Sequence, residues 1–338
     1  MSADSRILST HAYTMSPEWL ERVDAIDRET MSGLRLFVRV VRSAGKYEAV
    51  VLNGEVGWRR GYVDLLAAAV IARLPNGPAV IITDCSWKLS SRMLDRAACR
   101  LGLKLLDTEK VRYTVKATDE LELLPAVWGL DSSRFVLTPY GHTLTEAEMA
   151  EPPTHDGGVF AGGNALRDYD TLIEAVRGLP AQVTIATSLR VGEEGGLPPN
   201  VKVVPVNPHS RFIDLMRDAE VVVVPFKAGI SRASGMDTYL SAMGLGNLVI
   251  VADCPGTRDY IEDGVNGIIV PPADAGAMRA AIDWALDPAN AADVQAMRER
   301  ARQVARQRFT FQRHAELLLD VVDQAITETG RGSPAAVS

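Results

Sequence analysis

Short unbroken apolar runs recur along this chain, the clearest at 79–83 (AVIIT), 221–224 (VVVV) and 248–251 (LVIV). Runs of four or five apolar residues, rich in β-branched side chains and without alternation, fit strands buried on both faces of a parallel sheet. The segments between them carry apolar residues at three- and four-residue spacing, the period of a helix. In the first half this pattern predicts strands over 6–13, 47–52, 79–83, 111–115 and 134–138, with another short one near 103–106. The intervening helices fall over 34–43, 60–74, 90–101 and 120–128. In the second half it predicts strands over 159–161, 182–186, 201–204, 221–224 and 248–251. Helices follow at 211–219, 236–243, 275–286 and 291–308, with a last one after Phe309. Strands and helices that alternate at such short spacing make open parallel sheets with helices on both faces.

Length divides this pattern in two. A chain of 338 residues exceeds one ordinary core and suits two domains of about 150 residues each. The expected organisation is a first domain over 1–150, a second over 151–308, a terminal helix over 309–328 that returns to the first domain, and a disordered tail over 329–338. Pro152 and Pro153, followed by Asp156-Gly157-Gly158, read as the hinge. A content of 47% hydrophobic and 23% charged residues is that of a globular protein. The net charge of -7 argues against nucleic acid as a partner. No apolar run approaches the ~20 residues that span a bilayer, and the N-terminus lacks the apolar core of a signal peptide. Cytoplasmic residence is therefore expected, with peripheral association at the inner membrane face left open. Cys85, Cys99 and Cys254 are odd in number and widely spaced, so buried free thiols are expected and no metal site is.

The stretch from Val221 to Pro272 reads as a complete strand, loop, helix, strand, turn and strand. Its first loop carries Gly229, Ser231, Ser234 and Gly235 and opens into an amphipathic helix that Gly244 and Gly246 close. A Gly/Ser loop at the carboxyl end of a parallel strand offers free backbone N–H groups and the positive end of a helix dipole, which suits a phosphate. The other reading is a plain connection that binds nothing. Earlier, Gly162-Gly163-Asn164 follows the strand at 159–161, and Asp168, Asp170 and Thr171 crowd the next helix start, where caps and negative charge are favoured.

SAMGLGNLVIVADCPGTRDYIEDGVNGIIVPP resembles the nucleotide-sugar-binding segment of GT-B glycosyltransferases, especially the retaining family four enzymes. Ala242, Met243, Gly246, Val249, Ile250, Gly256, Asp259, Ile261, Asp263, Gly264, Asn266, Gly267 and Val270 fall at matching or chemically similar places. VFAGGNALRDYDTLIEAVRGL resembles the first strand and helix of the same domain, and VRYTVKATDELELLPAVWGLDSSRFVLTPYGHT the end of the acceptor domain. The resemblance implies a GT-B fold, two Rossmann-like doubly wound domains facing a cleft. It also implies a glycosyltransferase of hexosyl type that takes sugar from a nucleotide-diphosphate sugar, with retention and without a metal. The nucleotide sugar is then a co-substrate, so no cofactor is expected. The acceptor would be a small molecule, a glycan or a lipid-linked group, and the oligomeric state is open.

The resemblance places Arg167 where the family has a basic residue, usually lysine, on the diphosphate. It places Gly162 where the family has an arginine, so the charge falls to Arg167 with help from Lys227 or Arg232. A planar fork of donors suits the task. Gly163, Asn207, Ser234, Gly235 and Thr238 complete the expected donor site, with Asn207 offering backbone groups to the base. The family's two glutamates are missing, Ala233 and Ser241 standing in their places. Asp237 or Ser241 is expected to hold the ribose instead. In the first domain, Asp84 ends a strand where related enzymes often carry a histidine. It would orient a donor hydroxyl or take the acceptor's proton, or merely cap a turn. Trp87 either stacks on an acceptor or packs in the core. His142, in the turn between the domains, contacts substrate or makes a hinge hydrogen bond, and His11 lines the acceptor pocket. The missing glutamates keep a second class open, a binding protein that transfers nothing. A GT-B nucleotide-sugar epimerase is the third.

Overall fold

The computed structural model describes residues 6–27, 31, 33–54, 61–85, 93–156, 158–192 and 195–330, with backbone alone for 61, 62 and 93–99. Trp87, Gly157 and the tail beyond residue 330 lie outside the described residues, as does the Cys99 side chain. The chain divides into two compact units, one of Met1–Pro139 with Phe311–Ser338 and one of Tyr140–Thr310.

Unit 1 runs β1 (Ile7–Ser9), α1 (Pro17–Arg22), β2 (Val23–Ala25), α2 (Gly33–Ala44), β3 (Ala49–Asn53), α3 (Gly61–Ile71), β4 (Ala79–Thr83), α4 (Met93–Leu106), β5 (Val111–Val115), α5 (Thr118–Trp128) and β6 (Phe135–Leu137). Its six strands form one parallel sheet in the order β2-β1-β3-β4-β5-β6. Alternate residues of the strands supply two cores, as the pleat requires. Val50, Leu52, Val80, Ile82, Val111 and Tyr113 meet Leu36 and Val40 of α2, Ala68 and Ile71 of α3, Leu103 and Leu106 of α4 and Leu124 of α5. Ile7, Ala49, Val51, Ala79 and Ile81 meet Trp19 of α1 and, from the chain's last helix, Ala315, Leu318, Leu319 and Val322.

Unit 2 contains α6 (Glu146–Ala150), β7 (Val159–Gly162), α7 (Tyr169–Val176), β8 (Val183–Ala186), β9 (Val201–Val204), α8 (His209–Asp218), β10 (Val221–Val224), α9 (Met236–Leu245), β11 (Leu248–Ala252), α10 (Thr257–Tyr260), β12 (Ile268–Val270), α11 (Ala275–Leu286) and α12 (Ala291–Arg308). Its strands are parallel in the order β12-β11-β10-β7-β8-β9. The order reverses between β7 and β10, and ligands of open α/β sheets bind outside the carboxyl ends of strands at such a switch point. The last helix, α13 (Phe311–Glu328), belongs to unit 1.

Several elements differ from expectation for definable reasons. The strand expected at 103–106 is the end of α4, where Leu103 and Leu106 are buried and Leu101, Lys104 and Leu105 exposed, a helical spacing of leucines rather than β-branched residues. The helix over 236–245 is not amphipathic. Met236 and every residue from Thr238 to Leu245 are buried, and Asp237 is the one exposed position. Two further helices begin at capping signals rather than at an apolar period. Ser16 caps α1 ahead of Pro17, and Thr145 with Glu148 forms a reciprocal capping box at α6.

Because Leu318 is fully buried against the sheet, Leu318→Ala should lower the stability of unit 1 by about 2–5 kcal/mol in urea unfolding. Leu20→Ala, on the exposed side of α1, should stay within about 0.5 kcal/mol. Equal effects would mean that α13 adds nothing to the core.

Candidate functional site

Arg167 organises the switch point of unit 2. It lies in the loop between β7 and α7, tied to the end of β10 by an antiparallel bridge to Phe226 and by the Asp168 N–H donating to the Pro225 carbonyl. Its side chain is only 4% exposed. Nε donates to the Gly162 carbonyl at 2.9 Å, Nη1 to the Ala165 carbonyl at 2.9 Å and Nη2 to Thr238 Oγ1 at 3.0 Å. The guanidinium also lies 4.9 Å from the centre of the Phe226 ring. Among the described residues no carboxylate forms an ion pair with it. Burial pulls its pKa below the ordinary value while Tyr169, Cys254 and Tyr239 act the other way, and an arginine remains charged throughout. The fork expected to face a ligand is thus largely committed to holding two loops and α9 together.

The loop glycines make that packing possible. Gly235, the N-cap of α9, has φ 75°, and a Cβ there would stand 2.5 Å from Phe226 Cζ and 3.1 Å from Arg167 Nη1. No side chain caps this helix end. Gly162 is closed from the other side. A Cβ on it would stand 2.5 Å from the ring of Phe212 on α8, so the place of the family's usual arginine is filled by an aromatic side chain. Nothing in the local sequence around Gly162 announces Phe212, which arrives from fifty residues away. Gly163 offers its carbonyl to Tyr169 Oη at 2.6 Å and to Thr187 Oγ1 at 3.1 Å, while Asn164 Oδ1 accepts from the Ser188 N–H.

The remaining expected donor residues separate into two groups. Thr238 is buried and occupied by Arg167, and Ser234 is buried beside Gly235. Ser241 is 3% exposed inside α9 and Ala233 6% exposed, so neither glutamate position presents a polar group at the surface. Asp237 does, and its Oδ1 accepts from Thr143 Oγ1 at 3.0 Å. Asn207 is exposed and joined to Pro208 by a cis peptide bond ahead of α8. Lys227 is exposed, and Arg232 half-buried. Cys254 is half-buried rather than buried, its Sγ 3.2 Å from Thr257 Oγ1, and burial pushes its thiol up to about 11.

His142 is also buried, at 2% exposure, beside Gly244 in unit 2. Its backbone N–H donates to the Phe309 carbonyl of the same unit. Neither ring nitrogen has a hydrogen-bond partner among the described residues. Burial, with Arg306 nearby, lowers its pKa to about 4.

Unit 1 gathers a second polar cluster at the carboxyl ends of its strands. Asp84, just past β4, has φ 56° and is 6% exposed. Its N–H donates to Thr114 Oγ1 at 3.1 Å, and its carboxylate lies 3.4 Å from Tyr13 Oη and 3.6 Å from His314 Nε2. His314 comes from α13, and its Nδ1 is 2.9 Å from the Pro139 carbonyl, which assigns the proton to Nδ1 in the neutral ring. Burial pushes the Asp84 carboxyl up, but Lys116, His314 and His11 together hold it below the ordinary carboxylate range. His11 is half-buried, its ring 4.5 Å from that of Tyr13. Tyr13, Lys116 and His314 were not singled out from sequence, and only the fold brings them to Asp84.

Residues 162–287 match the family described as glycosyl transferases group 1. A D-inositol 3-phosphate glycosyltransferase of Nocardia farcinica is 24% identical over 252 residues, 65% of this chain and 53% of that protein. D-inositol 3-phosphate glycosyltransferase 1 of Catenulispora acidiphila is 35% identical over 160 residues, 46% of this chain and 34% of that protein. The chain thus spans about half, or less, of the length of the curated relatives it matches. Anabaena HepE in complex with UDP superposes with a TM-score of 0.67 at 13% identity, covering 95% of this chain and all of the other. The fold is GT-B, and the segment from Gly162 to Asp287 is similar to that of group 1 glycosyl transferases.

The buried His142 ring gives a pH signature. The unfolded chain takes up its proton near 6.5 and the folded chain only near 4, so its contribution is complete above about pH 6.5 and is lost as pH falls towards 4. The loss should reach about 3 kcal/mol. His142→Leu removes two ring nitrogens that have no protein partner, so stability at pH 7 should change little and the acid sensitivity should shrink. An unchanged pH profile of urea midpoints would refute this.

Proposed function

We propose that this protein transfers a sugar from a nucleotide-diphosphate sugar to a hydroxyl or amine acceptor, with retention and without a metal. The observation that carries the reading is Arg167, a buried guanidinium that among the described residues has no ion-paired carboxylate, at the switch point, packed against Gly235 where α9 begins without a side-chain cap. An anion placed there would meet a fixed positive charge and the free N–H groups of a helix start. The charge that develops on a leaving diphosphate is what such a site stabilises best. The names of the relatives and the UDP bound to HepE support testing UDP-sugars first as donors and inositol phosphates first as acceptors.

Asp237 is the carboxylate best exposed to replace the missing glutamates on the ribose. In unit 1, the Asp84 carboxylate is held in its charged form and is therefore a weak base. That favours accepting a hydrogen bond from a sugar hydroxyl over taking a proton. A second reading, binding without transfer, draws support from the burial of Ala233 and Ser241 where the family has glutamates. Release of free UDP or of a glycosylated product from a panel of nucleotide sugars separates the two.

A charged hydrogen bond to phosphate contributes about 1.5–3 kcal/mol, so Arg167→Ala should weaken donor binding tenfold or more and lower kcat as well. Arg167→Lys, which keeps the charge and loses the fork, should fall between. Asp237→Asn should act mainly on donor affinity, because the ribose changes little in charge during transfer. A folded Arg167→Ala protein with intact affinity and turnover would place the diphosphate elsewhere. Turnover should also survive treatment with a chelator. Loss of activity that a divalent ion restores would refute metal independence.

A further inference from the structure

The helices α2, α3 and α4 are consecutive crossovers that cover the same face of the unit 1 sheet, their inner residues sharing one core. Their outer faces are unusually apolar. Leu34 is 74% exposed, Leu66 60% and Leu101 66%, each followed four residues later by another exposed aliphatic residue, Val38, Val70 and Leu105. A four-residue step keeps each pair on one side of its helix.

Cations interleave with these aliphatics. Arg35, Arg39 and Arg42 line α2, Arg73 follows α3, and Arg100 and Lys104 lie on α4, all exposed. Among the described residues none of these six forms an ion pair with a carboxylate. By contrast Arg6, Arg22, Arg112, Arg134 and Arg313, the described arginines of unit 1 outside this face, each pair with one. The single acidic residue among the described side chains of the three helices, Asp64, is buried. On a chain of net charge -7, this face is locally basic.

We infer that the outer face of α2, α3 and α4 docks peripherally on an anionic lipid bilayer, the leucines entering the headgroup boundary and the arginines lying at the phosphates. Charge complementarity selects that occupant. Cationic side chains without a carboxylate partner, beside exposed aliphatic side chains, are the arrangement of a surface that lies in a membrane interface. A protein partner is less well served. Its interface core favours aromatic anchors, and the exposed large apolar residues here are leucine and valine only. The inference stands independently of the donor site, because it uses no residue of unit 2.

The test is sedimentation of the full chain with vesicles of phosphatidylcholine alone and of phosphatidylcholine mixed equally with phosphatidylglycerol. The protein should pellet with the mixed vesicles and not with phosphatidylcholine, and binding should fall roughly tenfold or more in high salt. Arg35→Gln, Arg39→Gln and Arg42→Gln together should lower partitioning roughly tenfold or more, and Leu34→Ser with Leu66→Ser should also weaken it. These positions are exposed, so thermal unfolding should be unchanged. Failure to pellet with the mixed vesicles, equal binding to both vesicle types, or wild-type binding by the triple variant would each overturn the proposal. So would a dimer in sedimentation velocity that Leu34→Ser with Leu66→Ser dissolves, which would assign the face to a second copy of the chain.

Discussion

A guanidinium withdrawn from water costs free energy unless its donors are met, and unit 2 is arranged around meeting those of Arg167. The carbonyls of Gly162 and Ala165 and the hydroxyl of Thr238 bind it, and the Phe226 ring lies against it. Those contacts join the loop after β7, the end of β10 and the first turn of α9. Without the guanidinium the loops would lose their common donor. Without the loops the charge would be stranded. Carbonyl and hydroxyl dipoles satisfy hydrogen bonds without neutralising the charge, as an ion-paired carboxylate would have done. The pale chemistry of the glycines follows from the same constraint. Gly235 must lack a side chain where Phe226 and Arg167 close over it.

Unit 1 solves the converse problem. Asp84 is a buried carboxylate in a left-handed backbone conformation, and Lys116 first, then His314 and His11, favour its charged form in place of a single bidentate partner. Lys116 follows β5, His11 follows β1, and His314 comes from the last helix, so the charge balance joins residues about three hundred positions apart in sequence. α13 therefore does two things for this unit. It seals one side of the sheet with Leu318 and Val322, and it delivers the imidazole that faces Asp84.

The outline of the chain was legible because buried parallel strands leave a signal that needs no partner to read. The runs at 79–83, 221–224 and 248–251 are strands in the structure, and Gly235 and Gly256 cap the helices that follow the second and third of them. Where structure and pattern differ, a three-dimensional fact overrides a one-dimensional pattern. Helix α9 looks amphipathic in a short window, yet it is enclosed almost all round, so its polar positions face protein and not water. Ser241 was a reasonable ribose contact by position and is buried for that reason. The leucines at 101–106 spaced like a strand to the eye and like a helix to the core.

By itself the sequence determined the alternation of strands and helices, the two-part organisation suggested by length, and the Gly/Ser loops at strand ends where an anion site can form. These are local properties, set by backbone sterics, side-chain period and helix ends, and they survive without knowledge of any contact. Only the tertiary structure decided how the charges are used. It committed the Arg167 fork to protein acceptors, put Phe212 over Gly162, buried His142, and gathered Tyr13, Lys116 and His314 at Asp84. The physical reason is that burial and electrostatics depend on distance in space, and residues fifty to three hundred positions apart set them here. No window along the chain contains both members of such a pair.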